Sequence, residues 1–178
     1  MDNYGFVRDK LNIKCLILFI LKRLPAPVGR DMLTELTLID NATNYFDYIE
    51  CLTELENAGL IMVTNETYRI TPTGIRDAEE MEDKVPYTVR LKALAGTERA
   101  AKILERESLI KTKHTEKFEG GYQVTLSLSD SLGEMLKIDV LAGTQKQAEE
   151  MERLFRKNAE SIYIRITSLL TEEQTEEK

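Results

Sequence analysis

Apolar residues first recur at helical spacing at Leu11, Cys15, Leu18 and Phe19, which predicts a helix over 8–24. Lys22 and Arg23 suit its carboxyl end, where cations offset the helix dipole, and Pro25-Ala26-Pro27 stops it. Met32, Leu33, Leu36 and Ile39 mark a short second helix over 31–39, and 40–43 is a turn. A third helix over 44–58 is expected to bury Tyr45 or Phe46, Ile49, Leu52 and Leu55, and Gly59 is a natural left-handed stop. Two short strands, 61–64 and 67–70, flank Asn65-Glu66, a hairpin connection of the right length whose Glu is not a favoured turn residue. Thr71 then caps a helix with Pro72 in its first position, where a missing N–H costs nothing, and Gly74 allows close approach to the hairpin.

Beyond Pro86 the pattern predicts two helices, 87–95 and 97–107, broken at Gly96. From Leu109 the period changes to two. Ile110, Thr112 and His114 lie on one face of a strand, Tyr122, Val124, Leu126 and Leu128 on that of a second, and Leu136, Ile138 and Val140 on that of a third. Glu119-Gly120-Gly121 and 130–133 are the turns. Thr144 and Gln147 form a capping-box pattern ahead of an apolar stripe through Ala148, Met151, Phe155, Ala159, Ile162, Ile166 and Leu169 or Leu170. That final helix, about 26 residues or roughly 39 Å, is longer than a three-stranded sheet is wide.

The predicted fold class is α+β. A winged helix-turn-helix over 1–84 is followed by a helical connector over 85–107, then by an antiparallel sheet with a long helix over 108–170, for dimerisation or sensing. Residues 171–178 read as a disordered tail. The longest apolar run, Cys15 to Leu21, is too short to span a membrane, and no signal-peptide pattern opens the chain, so a cytoplasmic location is expected. Two cysteines, Cys15 and Cys51, offer neither a disulfide framework nor metal-site spacing.

Charge changes the picture. Residues 31–83 hold two basic and thirteen acidic side chains, whereas 1–30 hold six basic and two acidic, and 85–117 hold eight and four. The third helix carries Asp47, Glu50, Glu54 and Glu56 and no Lys or Arg, which runs against the phosphate contacts that hold a protein on DNA. Candidate DNA contacts are Thr43, Asn44, Asp47, Tyr48 and Cys51 on and before this helix, Asn65 at the hairpin tip, and Arg30 and Arg69, with Lys22 and Arg23 as further phosphate candidates. An ordinary solvated surface is an alternative reading for each. Phe155, Ile162, Ile166 and Leu169 are the candidate dimer contacts. The lone His114 lacks a nucleophile pattern nearby, the acidic runs read as solvated faces, and Gly120-Gly121 lacks a phosphate-loop setting; neither an enzyme nor a cofactor or metal is expected.

The run Leu16-Ile17-Leu18-Phe19-Ile20-Leu21 ending at Leu24-Pro25, then Thr43-Asn44-Tyr45-Phe46, Leu52-Thr53-Glu54-Leu55, Gly59-Leu60 and the Thr-Pro-Thr-Gly turn, resembles domain-of-unknown-function family 4364. Tyr122-Gln123-Val124 and a long helix with Ile162-Tyr163 extend the resemblance over nearly the whole chain. It implies a winged-helix fold and a regulatory role, and brings no ligand or site. Two expectations follow. One is a homodimeric DNA-binding transcriptional regulator with the third helix in the major groove of double-stranded DNA and the wing on the backbone. The other is a protein-interaction module that docks a basic protein partner on its acidic face, without DNA or membrane binding.

Overall fold

The computed structural model describes residues 9–39 and 43–171. Residues 40–42 of the turn expected at 40–43 and 172–178 of the tail expected at 171–178 lie outside the described residues. Contacts divide the chain into two compact units, one ending at Glu105 and one beginning at Arg106.

The first unit is built around α1, Lys10–Leu21. Asp9 caps it by accepting from the Asn12 amide, and every residue from Cys15 to Leu21 is buried. A helix apolar on all sides belongs in the centre of a core, and α1 is packed by the elements that follow. Val28–Gly29 forms β1, a strand too short to show any periodicity, followed directly by α2, Arg30–Thr37. Next come α3, Tyr45–Asn57, and the hairpin strands β2, Ile61–Thr64, and β3, Thr67–Ile70. β1 pairs with the outer side of β3, so the sheet runs β1-β3-β2 with every pair antiparallel. Asn65 and Glu66 both take positive φ, 49° and 60°, as a two-residue turn of the primed type demands. Gly59 leaves α3 at φ +69°.

α4, Pro72–Glu80, starts as its sequence directs: the Thr71 hydroxyl accepts from the Gly74 amide at 3.1 Å. Its own hydrogen reaches back to the carbonyls of Gly59 and Leu60. After a single 3-10 turn, Glu82–Lys84, α5 runs unbroken over Tyr87–Leu109. The break expected at Gly96 does not occur. A Cβ there would lie 2.9 Å from Leu36 Cδ2, so this glycine admits α2 and does not end the helix. Val89, Ala93 and Ala100 join the first core, so most of the expected connector belongs to this unit.

The second unit is a meander of β4, Ile110–Glu116, β5, Tyr122–Asp130, and β6, Gly133–Ala142, in that spatial order. The register sets Thr112 beside Leu126 beside Ile138, as the alternation requires. α6, Gln145–Thr171, covers that face with Ala148, Phe155 and Ala159. Thr144 Oγ accepts from the Gln147 amide, while Gln147 reaches back to the Gly143 amide at 2.9 Å. The helix bends at Asn158, which has φ −125° and whose side-chain amide donates to the Leu154 carbonyl. The molecule is thus α+β, with two three-stranded antiparallel sheets and a long final helix. No helix among the described residues is long and apolar enough to cross a membrane.

Candidate nucleic-acid interface

The phase of α3 decides which of its side chains reach solvent. Tyr48, Cys51, Leu52 and Leu55 form its buried stripe. Leu52 and Leu55 are buried as expected, but Tyr48 and Cys51 take the places expected of Ile49 and of Tyr45 or Phe46. Tyr48 is fully buried, and its hydroxyl accepts from Thr34 Oγ at 3.2 Å. Burial pushes its phenol up to about 12. Cys51 is equally buried, its Sγ 3.5 Å from the Lys10 carbonyl, and burial pushes its thiol up to about 11. Neither side chain can touch a base or a phosphate, so both leave the expected set of contacts. Thr43 is also buried.

Asn44 stays exposed, but its side-chain oxygen accepts from the Phe46 amide at 2.9 Å. It is the cap of α3. Asp47 is half-buried in the first turn. The outward face instead carries Phe46, 79% exposed, with Tyr45 in edge contact at 6.3 Å between centroids. Those aromatics are what the shifted stripe brings to the surface. A stripe that passes through Tyr48 and Cys51 in place of Ile49 leaves both outside the core.

The acidity of α3 has a partner in α1. Lys10 pairs with Glu50 at 2.5 Å, and Lys14 pairs with Glu54. Each pair is spaced one turn from the next on both helices, so the two charges line up as rungs. The hydrogen bond from Lys14 holds Glu54 below the usual carboxylate range, and the bond to Glu50 holds Lys10 above the usual ammonium range. Two of the four acids on α3 are therefore matched within the first unit. Lys22 and Arg23 are similarly engaged, with Glu79 at 3.1 Å and Glu82 at 3.0 Å, and Arg23 also donates to the Phe19 carbonyl. Both leave the set of phosphate candidates.

Arg30 and Arg69 remain. Arg30 is exposed at the first position of α2, and its Nε donates to Tyr68 Oη at 3.3 Å. This contact with the Tyr68 hydroxyl raises the guanidinium further above its ordinary value. The Arg30–Tyr68 contact was not expected; β1 creates it by placing Val28 against Tyr68. Arg69, the next residue on β3, alternates to the solvent face opposite Met62 and has no ion-pair or hydrogen-bond partner among the described residues. Asn65 is exposed at the tip of the β2–β3 turn. Structure thus keeps Arg30, Asn44, Asp47, Asn65 and Arg69 accessible, on α2, α3 and the hairpin.

In the second unit the expected dimer contacts also separate. Phe155 is 1% exposed in the core beneath the sheet and is removed from the set. Ile162 packs partly against that core and Ile166 is half-buried. Leu169 and Leu170 are 69% and 79% exposed. His114 faces α6, its Nδ1 2.9 Å from Glu152 Oε1 and its ring edge-on to Tyr122.

These two units, one helical with a small sheet and one a helix-covered meander, define an α+β protein. The chain belongs to the family described as domain of unknown function (DUF4364), whose model matches residues 13–170. A search of curated proteins gave no match, and neither did a search of solved structures.

Proposed function

We propose that the first unit is a winged helix that binds duplex DNA, and that the chain acts as a homodimeric transcriptional regulator. One observation carries this reading: Val28–Gly29, between the first two helices, pairs with Thr67–Tyr68 of the hairpin. α1, β1, α2, α3, β2 and β3 then follow in the order of a winged helix, with a three-stranded sheet that a bare helix-turn-helix does not have. In this reading α3 enters a major groove from its Asn44 end, and the Asn65-Glu66 turn rests on the backbone. Arg30 and Arg69 contact phosphates, and Asn44 and Asp47 lie nearest the base edges. Asn44 caps α3 with its oxygen, which leaves its NH2 group for an acceptor on a base.

The exposed Tyr45–Phe46 pair favours a second reading. Aromatic side chains of this kind anchor protein interfaces, and Asp47 beside them, in no ion pair among the described residues, suits a basic partner. Passing sheared genomic DNA over the immobilised chain at two salt concentrations separates the readings. DNA retained at low salt, and lost with the Arg30→Ala, Arg69→Ala double variant, supports the first. Retention that is absent at both salt concentrations supports the second, and Phe46→Ala then becomes the variant that abolishes partner capture.

A further inference from the structure

Between α2 and α5, within the first unit, lies a groove of about 480 Å³ that no step of DNA contact uses. Met32, Leu36 and Ile39 form one wall, and Ala95, Ala100 and Ile103 the other. Gly96 is at the bottom, where a side chain would strike Leu36. Ile103 is 48% exposed, so part of the apolar lining is left to water. Small-molecule sites commonly fall between about 300 and 1,000 Å³, with an apolar lining and a few placed polar groups, and this groove fits both criteria.

The polar groups are Lys92 and Arg99 on α5 and Glu35 on α2. Lys92 and Arg99 stand seven residues apart, two turns of one helix face, or about 10 Å along its axis. Neither has an ion-pair partner among the described residues. Arg99 donates through Nε to the Ala95 carbonyl at 3.2 Å, which steadies its stem and leaves the terminal nitrogens available. With Glu35 counted, the rim carries one net positive charge. A single negative charge balances it; a neutral apolar molecule leaves the cations unmatched, and a dianion adds repulsion from Glu35.

We propose that this groove binds an organic monocarboxylate with an apolar body. Its carboxylate pairs with Arg99, with Lys92 adding to the field, and its body lies over Gly96 against Leu36 and Ile39. The guanidinium fork matches a carboxylate in two parallel hydrogen bonds, which a point charge does not. The site stands apart from the DNA reading, because binding is measured on the protein alone.

Titration calorimetry of the full chain with decanoate, 2-naphthoate and decanol tests the proposal. Saturable one-to-one binding is expected for at least one acid, with decanol weaker by about tenfold or more, the effect of losing a charge-assisted pair. Arg99→Gln is expected to weaken the acid by about tenfold and to bring it close to the alcohol. Ala95 is an exposed lining residue, so Ala95→Phe fills the groove without entering the core. It should abolish binding with an unchanged circular dichroism spectrum and melting temperature. The proposal is overturned if neither acid binds, if decanol binds as well as decanoate, or if folded Ala95→Phe binds like the parent chain.

Discussion

Gly74 sits where no side chain fits: a Cβ there would lie 2.1 Å from the Leu60 carbonyl oxygen and 2.9 Å from Ile70 Cγ1. Gly74→Ala must push α4 off a backbone atom, which cannot rotate away, and is expected to cost about 3 kcal/mol. Gly59 has open space around it and needs only its φ of +69°, so Gly59→Ala is expected to cost about 1 kcal/mol. Urea titrations of both variants check the order, and equal losses would refute the contact account. Tyr48 gives a test against pH. Its folded phenol titrates near 12 against an ordinary value of 10.0, so the folded state holds the proton more tightly. The contribution of Tyr48 to stability is complete below pH 10 and falls as pH rises toward 12. Tyr48→Phe should flatten that alkaline loss, leaving the portion that begins lower, where the unfolded Cys51 thiol titrates from 9.0. An unchanged alkaline profile would mean that the hydroxyl is wet. Gly59 and Gly74 were both legible, because each sits beside a boundary that local chemistry defines. Tyr48 was not, since one aromatic in a Tyr45-Phe46-x-Tyr48 cluster fills the core as well as another until the third helix has its neighbours.

At the scale of elements, the capped helices and the alternating strands were readable from their own residues. Thr71-Pro72, Thr144 and the even positions of the meander all act locally, and the structure follows them. β1 was not readable: two residues carry no period, and only pairing with β3 makes them a strand. Continuity of α5 through Gly96 was hidden for a related reason. A glycine weakens a helix by about 1 kcal/mol, which reads as a break unless a neighbour needs the space. The acidity of α3 was visible in the sequence, but its matching to Lys10 and Lys14 depended on how α1 and α3 cross. Those rungs give a prediction. Glu50→Gln with Glu54→Gln frees two cations beside α3 with little effect on the melting temperature, because both pairs reach solvent. DNA affinity should rise several-fold by anisotropy at low salt if α3 docks. No change would place α3 away from the nucleic acid.

For the whole molecule, the second unit holds the surface on which the proposed dimer depends. The stripe of α6 is not one surface: Phe155 and Ala159 are spent on the sheet, the helix bends at Asn158, and Leu169 and Leu170 remain outside. That division depends on three strands covering the helix only as far as about Tyr163, which no single segment of sequence states. Two adjacent exposed leucines near a half-buried Ile166 are the patch a two-fold contact would cover. Sedimentation is expected to show a dimer that Leu169→Glu with Leu170→Glu converts to a folded monomer; a parent chain already monomeric at high micromolar concentration would contradict it. The proposed dimer also sets the arithmetic of the proposed DNA contact. In the proposed reading, Arg30 and Arg69 on each of two subunits would give four phosphate contacts, each contributing about −0.9 to the slope of log K against log salt concentration. Fluorescence anisotropy on a mixed-sequence duplex across a range of salt measures that slope most directly. The account predicts about −3.6 for the parent dimer, falling to about −1.8 in Arg69→Ala. No measurable binding at low salt, or a slope that Arg69→Ala leaves unchanged, would contradict it.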